Sequence, residues 1–259
     1  MNKQIVIGAS LIFCSINLMA EQINSSSIRA ESTENERIYS GEYSSPFWQS
    51  EEFKGTHKRV LEGSRLEFQL NEITGGVDTA VAGADRPGLN VSQVAENLSV
   101  CMKTQVESEG HWWAGPKVSV NWQSMVDKDN TTWYENYIID NASMNPIEIE
   151  DWIYKIHKGK YLGKTAQDGS EYKHYIIHFK TWVQYWSVRQ SYRNVGVTSI
   201  KPILDIWRSH GMENLEFDGV KLNIEFHGPA QAKVVIDGYI PSSYKKVIDT
   251  SFEKDCIKG

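Results

Sequence analysis

The sequence predicts an all-β protein, either an antiparallel β-sandwich or a jelly roll, with one α-helix. Three observations lead to this fold class. Most apolar segments alternate with polar residues at period two, which is typical of strands that bury one face. Short breaks containing Gly, Asp or Asn separate them, as at Asp168-Gly169 and Asp218-Gly219. Only the stretch from Thr198 to Met212 has helical spacing, so packed sheets must supply most of the core.

Seven segments carry the strand pattern and are rich in β-branched and aromatic residues. The alternation is clearest in the first of them, where Leu66, Phe68 and Leu70 are separated by polar residues. In chain order the segments are Leu66 to Leu70, Val118 to Val120, Tyr134 to Asp140, Tyr172 to Phe179, Val183 to Ser191, Lys221 to His227 and Ala232 to Tyr239.

The helical stretch has apolar residues at i, i+3, i+4 and i+7, which form one face of a helix. These residues are Ile200, Ile203, Leu204 and Trp207. Ser199 is a candidate N-cap, and Gly211 ends the pattern. Proline fits a helix only in its first turn, so Pro202 also places the start near Ser199.

The chain divides into three parts. Residues 1–20 have the pattern of a signal peptide, with Lys3 before an apolar core and the small residue Ala20 at the end. Residues 21–45 are rich in Ser, Glu, Asn and Arg without periodicity, which predicts a flexible segment. Residues 46–259 form the folded domain. The protein is therefore expected to be secreted or periplasmic.

Composition excludes several function classes. The 27 Lys and Arg against 33 Asp and Glu give a net charge of −6 without a basic block, which argues against nucleic-acid binding. Beyond the N-terminus no apolar run reaches the roughly 20 residues of a membrane helix. The nine Trp and twelve Tyr suit sugar binding and sandwich cores equally well. We expect a monomer.

Motifs for cofactor or metal chemistry are also missing from the sequence. It has no Gly-rich phosphate loop, no nucleophile elbow and no Cys-x-x-Cys, so we expect no cofactor. His174 and His178 have the spacing of helical metal ligands, but four residues of a strand span roughly 13 Å. They therefore do not predict a shared metal ion. After export two cysteines remain, Cys101 and Cys256, which either form a disulfide or stay as two thiols.

Two carboxylates on predicted strands are candidates for catalysis. Period two places Glu135, Tyr137 and Ile139 on one face of a strand. Asp237 lies in an otherwise apolar strand, where a carboxylate is costly unless it faces a cleft or a partner. Hydrolysis of a glycosidic bond uses two carboxyl groups flanking that bond, so this pair suits a glycosidase.

The segment from Gln184 to Ser191 resembles the Gln-Tyr-Trp-Ser-Val-Arg-Gln-Ser strand of the family 11 glycoside hydrolases, which are jelly-roll endo-β-1,4-xylanases. Four other segments resemble that family in the same order. They are Phe47-Trp48-Gln49, Glu135 to Asp140, Ile206 to Met212, and Ile236-Asp237-Gly238-Tyr239. The resemblance covers roughly Phe47 to Ser243.

The resemblance implies a jelly roll of two curved antiparallel sheets with one helix. It also implies a secreted enzyme that cleaves β-1,4-xylan or a related β-linked polysaccharide. Glu135 matches the nucleophile and Asp237 the acid/base. Tyr137, Gln184 and Trp48 match positions that contact the substrate.

Departures from the family pattern leave a second function open. The family has Glu where this chain has Asp237, and Glu51 stands where the family places a Trp that stacks on sugar. The connection between Tyr175 and Gln184 is too short for the family's long thumb hairpin. The alternative is a weak or inactive xylanase-like domain that binds a carbohydrate or a protein.

Overall fold

A computed structural model describes residues 29–40, 43–45, 47–49, 54–63, 65–74, 81–86, 99–120, 133–180, 182–212 and 217–239. Most of these residues are in strands, as the sequence predicts. The strands are β1 (Arg29–Ser32), β2 (Ile38–Ser40), β3 (Tyr43–Ser45), β4 (Phe47–Gln49), β5 (Lys54–Glu62), β6 (Arg65–Thr74), β7 (Val81–Arg86), β8 (Ser99–Val120), β9 (Trp133–Ile139), β10 (Asn141–Ala142), β11 (Lys160–Gln167), β12 (Ser170–His178), β13 (Trp182–Arg189), β14 (Val195–Ser199) and β15 (Phe217–Tyr239).

Thirteen of these strands form one sheet in which β8 and β15 are much longer than the others. Its main order is β1-β5-β6-β15-β8-β9-β13-β12-β11, with β7 and β4 attached through β15, and β10 and β14 paired to β8. The pairings are antiparallel except for β9 with β13, which is parallel. β2 and β3 form a separate two-stranded sheet. The predicted all-β class is confirmed.

Alternation along the strands produces two apolar clusters on opposite faces. The larger cluster includes Phe68 of β6, Ile138 of β9, Tyr185 of β13 and Ile224 of β15. The other face, which we call the Glu135 face, carries residues of opposite parity on the central strands. It is defined by Trp113 of β8, Glu135, Tyr137 and Ile139 of β9, and Gln184, Trp186 and Val188 of β13.

The predicted helix is present as α2 (Lys201–Ser209), after α1 (Pro146–Asp151) in the chain. Ile203, Leu204 and Trp207 of α2 are buried in the larger cluster, as their spacing predicts. The prediction that Ser199 caps this helix is wrong. Ser199 ends β14, and Ile200 is the N-cap, without a side-chain cap.

The sequence pattern did not predict α1, which continues as a π-helical turn over Trp152–Ile156. Asn145 and Glu148 form a capping box at its start, and Pro146 occupies the first turn. Ile149 and Ile153 are fully buried against the Glu135 face. The alternation of Ile and Glu at 147–150 resembles a strand, while the i, i+4 spacing of the buried pair is the helical signal.

Within the predicted flexible segment 21–45, the strands β1, β2 and β3 are formed by Arg29–Ser32, Ile38–Ser40 and Tyr43–Ser45. Arg59 of β5 has a buried guanidinium. It donates to the carbonyl oxygens of Glu34, Glu36 and Ser45 at 2.6 Å each. These hydrogen bonds fix the connection between β1 and β2, in addition to the backbone pairing of β1 with β5 and of β2 with β3. Residues 1–20, the predicted signal peptide, lie outside the described residues.

Two segments that the sequence predicts as separate strands belong to the single strand β15. These segments are Lys221 to His227 and Ala232 to Tyr239, and the register with β8 shifts between His227 and Gln231.

Cys101 is buried in β8 and is disulfide-bonded. Cys256 lies outside the described residues, so its pairing with Cys101 stays a prediction. In the described part of the chain, no helix has the length and apolar character to cross a bilayer.

Replacing Arg59 by Met is expected to destabilise the protein by about 2–4 kcal/mol, because three carbonyl groups lose a charged donor. Urea unfolding measures this loss, and limited proteolysis should cut first within residues 29–45. Lys58→Met is the control, because its ion pair with Glu31 is half exposed and should contribute at most about 1 kcal/mol. Equal stability of the two variants would contradict the role of Arg59.

Candidate active site

Glu135 is held by two donors on the Glu135 face. The parallel register of β9 and β13 pairs Glu135 with Gln184. Gln184 Nε2 donates to Glu135 Oε2 at 2.7 Å, and the Tyr137 hydroxyl donates to the same oxygen at 3.1 Å. Glu135 is half-buried, so the carboxylate is oriented and still reachable from solvent.

Trp186 determines which way the Gln184 amide points. Its indole Nε1 donates to Gln184 Oε1 at 3.1 Å, which leaves the amide NH₂ directed at Glu135. A reversed amide would place two donors together and two acceptors together. The conspicuous sequence motif around Gln184 therefore orients the carboxylate through a relay of two hydrogen bonds.

A second carboxylate, Glu225 of β15, approaches Glu135 through Lys117 of β8. Lys117 Nζ lies 3.2 Å from Glu225 Oε1 and donates to the Tyr137 hydroxyl at 3.4 Å. Since Tyr137 also contacts Glu135 at 3.1 Å, three contacts in series join the two carboxylates. The two oxygens therefore lie less than about 10 Å apart, compatible with the roughly 5 to 9.5 Å of glycosidase pairs.

The environment of Glu225 favours its ionised form. Only 3% of the residue is exposed, and burial by itself raises the pKa of a carboxyl group. The charge of Lys117, with a further contribution from His227, outweighs burial and lowers the Glu225 pKa to about 2. His227 Nε2 is 3.9 Å from Glu225 Oε2, too far for a hydrogen bond, so it acts through its charge when protonated.

Tyr137, between the two carboxylates, stays a neutral phenol. Burial, together with the charges of Glu225 and Glu135, raises its pKa well above the ordinary value. The ammonium of Lys117 also lies 4.6 Å from the centre of the Tyr137 ring. The tyrosine can therefore donate a hydrogen bond to Glu135 at any pH at which the fold is stable.

Asp237 lies at the other end of the β8–β15 ladder from Lys117, and its role as acid/base stays a prediction. Asp237 pairs with Lys103, fourteen residues before Lys117 on β8, which is roughly 45 Å of strand at about 3.3 Å per residue. Its Oδ1 accepts a hydrogen bond from the backbone of Gly238. The Ile-Asp-Gly-Tyr string resembles a catalytic motif but lies at the far end of β15.

A signal for Glu225 was present in the sequence. It lies between Ile224 and Phe226, which are buried in the larger cluster, and period two therefore places it on the opposite face. The segment from Lys221 to His227 has the pattern of a strand, but that pattern alone does not single out Glu225 as a catalytic candidate. Only the register with β8 shows that this face meets Lys117.

Aromatic rings form the floor beside these residues, and α1 covers part of it. The Trp113 and Trp186 rings are 5.1 Å apart, and both are buried. Trp152, from the π-helical turn, lies 5.8 Å from Trp113 and 5.3 Å from Trp186. The Trp186 end of the Glu135 face is therefore closed to a large ligand.

The remaining predicted residues are placed as follows. Trp48 pairs with Gly83 between β4 and β7, and its contact with a substrate stays a prediction. Glu51 lies outside the described residues. His174 bonds Ser187 Oγ at 2.7 Å and Thr165 Oγ1 at 3.0 Å inside the sheet. In the described ranges no three His, Cys, Asp or Glu side chains are grouped to hold a metal ion.

Comparison with solved structures identifies the architecture. The family 11 xylanase of Neocallimastix patriciarum superposes with a TM-score of 0.62 at 18% identity, covering 82% of this chain and all of that one. A xyloglucanase domain of the effector NopAA from Sinorhizobium fredii, solved with cellobiose, gives 0.62 at 14% identity, covering 82% and 97%. ENZbleach xylanase gives 0.60 at 18% identity, covering 82% and 84%.

These similarities confirm the predicted jelly-roll fold of the family 11 xylanases. At 14–18% identity they establish the fold alone. No protein-family model matches the sequence.

Glu225 should make stability depend on pH in acid. Its folded pKa of about 2 is below its ordinary 4.5, so its contribution is present above about 4.5 and is lost as pH falls towards 2. We expect Glu225→Gln to flatten the fall in thermal midpoint between pH 5 and pH 2. Glu67→Gln, which changes an exposed pair with Arg65, should keep the wild-type slope. Parallel curves for all three proteins would contradict the Lys117–Glu225 pair.

Proposed function

We propose that this protein is a glycoside hydrolase that cleaves a β-1,4-linked polysaccharide, with Glu135 as nucleophile and Glu225 as acid/base. The observation that carries the proposal is the chain of three contacts that joins two carboxylates. It runs from Glu135 through Tyr137 and Lys117 to Glu225. The similarity in fold to two xylanases and a xyloglucanase domain supports the substrate class.

Each carboxylate has a distinct task in this reaction. Glu135 attacks the anomeric carbon while the glycosidic C–O bond breaks, and Glu225 gives its proton to the leaving oxygen. Water then attacks the glycosyl-enzyme ester and returns a proton to Glu225. The product keeps the configuration of the substrate. Gln184 and Tyr137 hold Glu135 in position for the attack.

A second candidate function is glycan binding without turnover, and the Lys117–Glu225 ion pair favours it. The first step needs a protonated acid, while Lys117 stabilises the charged form of Glu225. Glu225 is also buried, so a glycosidic oxygen has limited access to it. On this interpretation the fold retains Glu135 and Gln184 as contacts for sugar hydroxyl groups.

Release of reducing ends from xylan and xyloglucan by wild type and Glu135→Gln tests the hydrolase. We expect a loss of at least about a thousandfold in the variant, because no nucleophile remains. Gln has almost the same shape as Glu and keeps the packing. Equal rates for the two proteins would contradict the role of Glu135.

Lys117→Met separates the two functions. Met keeps much of the side-chain volume and removes the charge, so burial should then raise the Glu225 pKa. If hydrolysis is suppressed by the ion pair, the variant should be about tenfold or more faster than wild type at pH 6, by the same assay. The binding function would be established if the wild-type protein binds glycan without releasing reducing ends and the Lys117→Met variant gains hydrolytic activity. The Glu225→Gln substitution should abolish hydrolysis both in the wild-type protein and in Lys117→Met.

The pH profile of any wild-type activity follows from the same pair. Since the proton donor is protonated only near or below pH 2 in the free protein, kcat/KM should fall as pH rises over the range in which the fold is stable. In Lys117→Met this fall should move upward by at least one pH unit. An unchanged profile would contradict Glu225 as the acid.

We also propose that residues 1–20 direct export. This agrees with the extracellular location of polysaccharide substrates. The mass of the N-terminal peptide of the mature protein, expected to begin near Glu21, tests the cleavage site.

A further inference from the structure

A short hairpin between β12 and β13 presents a stacked pair of aromatic rings. The Phe179 amide donates to the Trp182 carbonyl at 2.9 Å, which closes the turn. The two rings are 4.5 Å apart and inclined by 23°. Trp182 is 37% exposed, whereas the Trp113 and Trp186 indoles of the same face are buried.

This aromatic pair continues the Glu135 face. Trp182, Gln184 and Trp186 alternate on β13, so period two puts all three side chains on the same side of the sheet. Trp182 is two residues, or about 7 Å, along the strand from Gln184. Phe179 packs against the cluster that contains Trp186. The exposed indole therefore lies beside the residue that holds Glu135.

The Phe179–Trp182 pair packs against further aromatic rings. The Phe179 ring meets His157 edge to face at 5.5 Å, and His157 in turn meets Trp152 at 4.1 Å. Trp152 is the residue that covers Trp186. One end of the Glu135 face is thus closed by α1 and its π-helical turn, whereas the Trp182 end presents a rigid aromatic surface.

From this asymmetry we infer that Phe179 and Trp182 form a sugar-stacking subsite for the main chain of a β-1,4-linked glucan or xylan that passes Glu135. The inference rests on the proposed substrate class. A chain seated at Glu135 cannot continue over Trp186, so it extends towards Trp182. Equatorially linked pyranose rings expose flat C–H faces, which pack on an indole, while Gln184 and Glu135 are within reach of the hydroxyl groups of the neighbouring ring.

Binding of oligosaccharides of two lengths tests the subsite. Calorimetry uses disaccharides and hexasaccharides of the cello and xylo series, and every protein carries Glu135→Gln so that ligands are not cleaved. Adding Trp182→Ala should weaken the binding of both lengths about tenfold, because a disaccharide with one ring at Glu135 already reaches the indole with its second ring. Trp182→Phe should retain most of the affinity. The two sugar series show which main chain is preferred.

Tyr39→Ala is the matched control, because Tyr39 is 63% exposed and lies on β2, in the separate two-stranded sheet. It should leave both affinities unchanged. If Trp182→Ala weakens neither length, or if Tyr39→Ala has the same effect, the subsite is wrong. If the Glu135→Gln parent binds neither length in either series, the proposed function fails together with the subsite. If the parent binds and Trp182→Ala matches it, only the subsite fails.

Discussion

The antiparallel ladder between β8 and β15 is the constraint on which the candidate site depends. It runs from Val120 opposite Phe217 to Cys101 opposite Tyr239 and connects the two halves of the large sheet. Side chains alternate along both strands, so this register alone decides that Lys117 and Glu225 share a face with Trp113. A slip of one residue would move the slipped strand's side chains on this face into the larger apolar cluster.

The ion pair made possible by that ladder has opposite effects on stability and on chemistry. A carboxylate as buried as Glu225 is costly unless a partner compensates its charge, and Lys117 provides that compensation. The same contact keeps the group ionised, whereas protonation of a leaving group requires the neutral acid. Tyr137 lies between the two carboxylates and contacts Lys117 as well, so a change at any of these residues alters the others.

The aromatic residues make the two ends of the Glu135 face differ in exposure. Trp113, Trp186 and Trp152 form a packed group at one end, and Phe179 with Trp182 forms an exposed pair at the other. His157 links the two groups through edge-to-face contacts. The segment that forms α1 and its π-helical turn therefore covers one half of the face and also supports the rings of the open half.

The sequence by itself determined the all-β class, the helix at 201–209 and the shared face of Glu135 and Tyr137, whereas only the resemblance to the family 11 motif implied that Gln184 joins them. These features depend on local periodicity or on a short motif within one strand, and both are readable from neighbouring residues. Only the tertiary structure decided that Glu225 lies near Glu135, that α1 covers Trp186, and that Arg29–Ser32, Ile38–Ser40 and Tyr43–Ser45 form strands. Each of these depends on contacts between distant segments, where register, strand curvature and buried charge outweigh local pattern.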